Sequence, residues 1–467
     1  MKNIIFLICI ALLVVCETAA TTKSDEISML MPEVMKKDLD FLLKNIDEIH
    51  PNMYAYISKE EFNKLKNNAY GKLNEPLNDL EYYRIIAPLV AEIRNGHTSI
   101  WLNEKATSLL KSQITTSYPI EIGCYRDGVF VEGYYGLRDL PTGEILEINN
   151  QNAFDYLKEL CRYSAVEYKN YNFSMLERAG LAALIWLDGG EIKTVNLKVK
   201  SEQGEIHNLT IDAVEIPEIK KAILVRKSEK KHEQFEFKHD KENNAAIITI
   251  RDFHSDSLEI FKTFLKKYFS YIHEKNIKNL IVDIRDNPGG STNVSQELVS
   301  YLTDKPFKLF SKVSTKLSKQ IEGKLWRKVK KKDVGKIMEY TSQDIVPNKS
   351  YPKFTGQTYL LINGNTFSTA LDLAVILQYY NLATLVGDET KDTPSGYGEV
   401  FMLKMPRTKM RLAVSVKHFE ALGDKKDGRG VVPDYEIRQR GKDTAKGVDT
   451  VLQFTFDLIK KSPYQIQ

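Results

Sequence analysis

The chain has 467 residues, of which 42% are hydrophobic and 27% charged, with a formal net charge of +4. This is a globular composition, long enough for two or three domains. The charge is small for the length and gives no reason to propose a nucleic-acid partner, and no CxxC pair or His/Cys cluster suggests zinc.

The first twenty residues have the plan of a secretory signal peptide. Lys2 is a short positive region, Ile4 to Val15 is an apolar run, and Thr18, Ala19 and Ala20 are small. The expectation is a signal peptide over 1–20, cut near Ala20, and an exported protein: periplasmic, cell-envelope or secreted. The apolar run is short for a membrane span. Cys16 opens a lipid-anchor alternative. Leu13 suits the position three before a lipidated cysteine, although Val15 directly before it does not. Cys124 and Cys161 are the cysteines beyond this segment. An exported compartment permits a disulfide between them, and two buried thiols are the other reading.

From Met29 to Gln113 apolar residues recur at helical spacing, which predicts a helical domain over 24–113. The first helix stops at Pro51, the second starts on a Ser58 cap with an acidic first turn, and the third ends at Asn95-Gly96. A domain over 114–200 follows. Two short strand-like runs flank Asp127-Gly128, and then comes "LPTGEILEINNQNAFDYLKELC". This last stretch resembles PDZ-type domains, which implies a peptide bound by strand addition beside "EILEIN". From 201 to 467 strands and helices alternate, which predicts a mainly parallel sheet with its ligands at the carboxyl ends of the strands. Within it, Ser318 to Lys353 reads as an insertion or cover, and the basic run Arg327 to Lys332 as a solvated face.

Candidate chemistry gathers in four stretches. "IRNGHTSIW" places His97 at the exit of the third helix, and "DIRDNPGGS" places Gly289 and Gly290 at a strand end. "NTFSTALDLAVILQ" places Ser368 where a strand becomes a helix. There a hydroxyl is either an N-cap or a nucleophile set beside free N–H groups. "KKDGRGVVPDYEI" carries Asp427. Asp283 and Arg285 read as a structural ion pair, and His418 as a competitor of His97.

In this order the stretches resemble the S41 peptidase family, which includes the C-terminal processing peptidases and the tricorn core protease. The resemblance implies an α/β core of S41 type (ClpP/crotonase-like) behind the helical and PDZ-like parts. It also implies a serine peptidase acting on peptides or unfolded proteins without metal or cofactor. The family's "T-x-S-A-A-E" turn, continuing to "A-x-x-L-Q", aligns on Ser368, Ala374, Leu377 and Gln378, with Leu371 standing where the family often has Glu. The dyad lysine of the processing peptidases is absent, because Thr393 occupies its position and Lys391 is displaced by two. The tricorn branch uses a histidine and an acidic residue instead, which His97 and Asp427 match. The resemblance thus implies Ser368 as nucleophile, His97 as general base, Asp427 as its orienter, and an oxyanion hole from Thr369 with the Gly289-Gly290 turn. Interphotoreceptor retinoid-binding proteins resemble the same family and bind apolar ligands. A non-catalytic S41-fold ligand- or peptide-binding envelope protein is therefore the alternative.

Overall fold

The computed structural model describes residues 29–125, 128–136, 140–165, 176, 180–226, 233–325, 328–439, 443 and 447–461. The expected signal segment, with Cys16 and Ala20, lies outside these residues, as do Asp127 and Arg327. The chain forms two compact units. One comprises Met1–Glu229, Lys316–Lys336 and Glu399–Val416, and the other Lys230–Thr315, Ile337–Gly398 and Lys417–Gln467.

In the first unit, helices α1 (Pro32–Ile49), α2 (Lys59–Gly71) and α3 (Asp79–Ala91) follow local signals. Ser58 and Glu61 form a capping box on α2, and Asn78 and Glu81 one on α3, so orphan N–H groups at both starts are satisfied. Strand β1 (Ser99–Trp101) and helix α4 (Glu104–Gln113) complete the expected helical region. β1 pairs antiparallel with Arg411–Ala413. The core contains Leu39, Ile46, Tyr82 and Ile86, and also Ile321, Met405, Leu412 and Val414 from the two later segments. Those segments return to this core because their apolar faces need cover, which no local pattern announces.

The β-rich part of this unit holds β2 (Ile120–Tyr125), β3 (Gly128–Tyr134), β4 (Gly143–Ile148), α5 (Ala153–Leu160), α6 (Leu181–Leu187), β5 (Thr194–Ser201) and β6 (Ile206–Asp212). β5 and β6 form a hairpin paired from Thr194–Asp212 to Lys200–Ile206. A boundary at 200 would cut that hairpin, so the β-rich part runs further than expected. Strand addition beside β4 meets an obstacle. One edge of β4 pairs with β5, while the other pairs with β3 at Gly143 and Glu144 and with Gln151-Asn152 at Glu147 and Ile148. Cys161 is buried and Cys124 half-buried, and both are thiols.

The second unit has the expected α/β plan. Its sheet orders β7 (Phe235–Asp240), β8 (Ala245–Ile250), β9 (Asn279–Asp283), β10 (Gln357–Ile362), β11 (Thr384–Gly387) and the short strand Tyr435–Glu436. β7 is an antiparallel edge strand and the other pairings are parallel. Helices α7 (Leu258–Glu274), α8 (Thr292–Leu302) and α9 (Thr369–Tyr379) share a core with Leu280, Val282, Leu360 and Ile362. Helix α10 (Thr450–Lys461) contributes Val451, Phe456 and Ile459 to a second core with Ile281, Tyr359 and Leu361. Sheet residues of alternating parity fall in the two cores, so the central strands read as unbroken apolar runs.

Candidate active site

β10 and β9 end side by side, in register from Asn279–Gln357 to Asp283–Leu361, and each leads into a turn. The two turns are bound to one another. Thr366 Oγ1 donates to the Ile284 carbonyl (3.1 Å) and accepts the Asn363 N–H (3.0 Å). The Phe367 N–H donates to the Asn287 carbonyl (3.0 Å). Asp286 Oδ1 accepts from the side-chain amides of Asn363 (2.8 Å) and Asn365 (3.1 Å). Ser368 follows at the start of α9.

Ser368 has φ 53° and ψ −126°, and its side chain makes no capping bond to α9. The N-cap reading of this hydroxyl therefore falls. A residue with a Cβ in this region carries a strain of about 1–3 kcal/mol, which the surrounding bonds must hold. In this backbone conformation the hydroxyl makes no bond to the N–H groups of the first helical turn. A strained serine at a strand-to-helix corner is the arrangement of a nucleophile elbow.

Gly289 and Gly290 lie against this corner. A Cβ on Gly289 would stand 2.7 Å from the Phe367 carbonyl oxygen and 2.8 Å from the Thr369 nitrogen, so only glycine allows the approach. Gly290 is closed in the same way by the Phe253 carbonyl, 2.2 Å from where its Cβ would be. Thr369 Oγ1 donates to the Gly290 carbonyl (2.9 Å), a second clip between the turns. One expectation is corrected here. The Gly289 N–H donates to Asn287 Oδ1 (2.8 Å), so this amide is engaged and Gly289 contributes space, not a donor.

The loop after β11 packs on the same corner. Lys391 Nζ donates to Asn365 Oδ1 (2.8 Å), and its backbone N–H to the Gly364 carbonyl (3.2 Å). Thr393, at the position of the family lysine, spends its hydroxyl on the Ser395 carbonyl (2.7 Å). Glu389 accepts the Gly430 N–H (2.8 Å) and bonds the Arg429 guanidinium, and Thr390 Oγ1 accepts the Val431 N–H (2.7 Å). The "GRGVV" run is thereby held by Glu389 and Thr390. Asp427, just before it, is exposed, and its Oδ1 accepts the Arg429 N–H (3.0 Å) in a turn of its own.

His97 belongs to the first unit, where it is half-buried in the turn between α3 and β1. A buried hydroxyl–amide network fixes that turn. Asn95 Oδ1 accepts from Thr98 Oγ1 (2.8 Å) and Ser415 Oγ (2.6 Å), and Thr98 Oγ1 accepts the Ser415 N–H (3.1 Å). Asn95 and Thr98 flank His97 in sequence and could have been proposed as its supports. Ser415 sits in an apolar strand and offers no such signal. His418 packs on Tyr397 with ring centroids 4.6 Å apart, and burial holds its pKa below the usual histidine value. Arg285 bonds both Asp283 (2.9 Å from Nε) and Asp449 (2.8 Å from Nη1), the structural role expected of it. Among the described residues no group of acidic, histidine and cysteine side chains could hold a metal ion.

The second unit thus brings together Ser368, Thr369, Gly289 and Gly290 in a strand-to-helix corner with backbone amides beside it. Residues 244–437 match the model of peptidase family S41. Among solved structures, mature CPAF is 17% identical with a TM-score of 0.58, the match covering 93% of this chain and 99% of that one. Mature CPAF complexed with lactacystin is 17% identical with a TM-score of 0.60 over 92% and 98% of the two chains. A candidate peptidase from Parabacteroides merdae is 15% identical with a TM-score of 0.52 over 93% and 99%. At such identities the structural likeness is one of fold. The family model adds that residues 244–437 are similar to peptidase family S41, a family of serine peptidases.

Proposed function

We propose that this protein is an exported serine peptidase in which Ser368 is the nucleophile and His97 the base. The observation that carries this reading is the backbone of Ser368, held at φ 53° without a capping bond. A structural serine at a helix start has no use for that strain. His97 takes the Ser368 proton as the oxygen attacks a peptide carbonyl, and returns it to the leaving amine. The N–H groups of Gly290 and Thr369 receive the oxyanion, since the Gly289 N–H is engaged by Asn287. Water then hydrolyses the acyl-enzyme by the same route. The substrate is a peptide or an unfolded protein. Asp427 matches the orienting position of the family motif, but its exposed turn gives it less hold on an imidazole than a buried carboxylate has.

A fluorophosphonate probe is expected to label the wild-type protein and not Ser368→Ala, and hydrolysis of an unfolded protein substrate is expected to vanish with the label. A folded wild type that takes no label would favour the ligand-binding alternative instead.

A further inference from the structure

Helix α9 is apolar almost throughout. Leu371, Leu373, Ala374, Val375, Ile376 and Leu377 are all buried. Asp372 interrupts this run, and among the described residues its carboxyl has no hydrogen bond or ion pair. Protein around it pushes its pKa up to about 7, yet the residue keeps partial access to solvent. A carboxyl in such a setting costs folding free energy with no structural return, because removing a charge from water is repaid only by a partner. A partner that arrives from outside resolves the cost.

The position indicates where that partner sits. The Asp372 N–H donates to the Ser368 carbonyl (2.9 Å), so the two residues are one helical turn apart. Helical side chains lean toward the helix N-terminus, which brings the Asp372 carboxyl back toward Ser368. One turn rises about 5.4 Å, within the reach of a lysine or arginine side chain whose own backbone lies at the nucleophile. We propose that Asp372 determines specificity, its carboxylate receiving the cationic side chain of a substrate lysine or arginine next to the scissile bond. In a setting of low polarity this attraction is stronger than at a surface, and it selects against acidic and apolar side chains there. The inference rests on the peptidase reading for its catalytic consequence, and on the geometry of α9 for the binding itself.

The test uses the full chain and fluorogenic peptides that differ only in the residue before the scissile bond: Lys, Arg, Leu or Glu. Wild type is expected to favour Lys and Arg over Leu at least tenfold in kcat/KM, with Glu poorest. Asp372→Asn is expected to bring Lys and Leu within threefold of each other, and Asp372→Glu to restore part of the preference. Equal rates for Lys and Leu in the wild type, or a preference that survives Asp372→Asn, overturn the proposal. Binding of the same peptides to Ser368→Ala, followed by fluorescence anisotropy, needs no turnover. Tighter binding of the Lys peptide, lost in Ser368→Ala/Asp372→Asn, is expected, and no difference between Lys and Leu peptides overturns the proposal. Failure of wild-type fluorophosphonate labelling, by contrast, counts against the peptidase reading alone.

Discussion

The corner around Ser368 and the loop around Asp427 belong to the same unit and both match family motifs, yet they are built differently. Ser368 is strained, and its corner is clipped to the Ile284–Gly290 turn by the Thr366, Phe367 and Thr369 bonds. Asp427 is exposed and serves its own turn. A strained conformation survives only where neighbours over-determine it, so its presence is itself an argument for function. An exposed carboxylate in a self-contained turn carries no such argument. Motif position alone does not separate the two, and their surroundings do.

The choice of base is where the largest effect is expected. His97→Ala should lower kcat on a fluorogenic peptide by about three orders of magnitude or more, as removal of a triad base generally does. Lys391→Ala should cost less than about tenfold. The Lys391 amine donates to Asn365 in the turn before Ser368, so its loss loosens the corner without removing a base. Measuring kcat and KM separately for both mutants checks this. A dead Lys391→Ala beside an active His97→Ala would move the base from the first unit into the second.

Some of this could be seen in the chain before folding and some could not. The helix start at Ser58 was visible because capping is a local exchange between residues three apart. The central strands were visible as apolar runs, and the Gly289-Gly290 turn as a glycine pair after a strand. The return of Lys316–Lys336 and Glu399–Val416 to the first unit was not, since it depends on apolar faces meeting across hundreds of residues. Asn287, which takes the Gly289 N–H, lies in the motif but looks like any turn asparagine. Asp372 was hidden because an aspartate on a helix ordinarily reads as a solvated residue, and only the protein packed around its carboxyl says otherwise.

That packing makes a stability prediction. Asp372 has its pKa raised by burial from an ordinary carboxyl value to about 7. The fold therefore favours the protonated form. Its contribution is fully present below about pH 4 and is lost as pH rises through about 7. Asp372→Asn removes the charge, so the mutant should gain on wild type as pH rises. The gain should be small at pH 4 and amount to about 2–4 kcal/mol at pH 8, since a tenfold change in proton affinity is worth roughly 1.4 kcal/mol. Urea unfolding of both proteins at the two pH values measures it. A difference that does not change with pH would mean that the carboxyl is already satisfied in the folded chain, and the contrast with the surrounding apolar helix would lose its meaning.

The smallest effect is expected at Asp427, and it bears most directly on the two loops. Asn in place of Asp keeps an oxygen that can accept the Arg429 N–H, so the turn should persist and stability should shift by less than about 0.5 kcal/mol. If Asp427 oriented the His97 imidazole from a desolvated site, the change would leave the ring in the wrong tautomer and cost orders of magnitude in kcat. Its exposure argues for a weaker hold, because a charge in contact with water interacts through a high dielectric. Asp427→Asn is therefore expected to reduce kcat/KM by less than about tenfold, with the lower limb of the pH–rate profile moved by less than about half a pH unit. Glu389→Gln serves as the reference. Glu389 is only 11% exposed, and it bonds Arg429 and the Gly430 N–H, so neutralising it should loosen the "GRGVV" run. Comparing the two mutants by kcat/KM and by thermal unfolding separates a catalytic carboxylate from a structural one. A large loss of kcat in Asp427→Asn with unchanged stability would show that this loop does more than its exposure suggests.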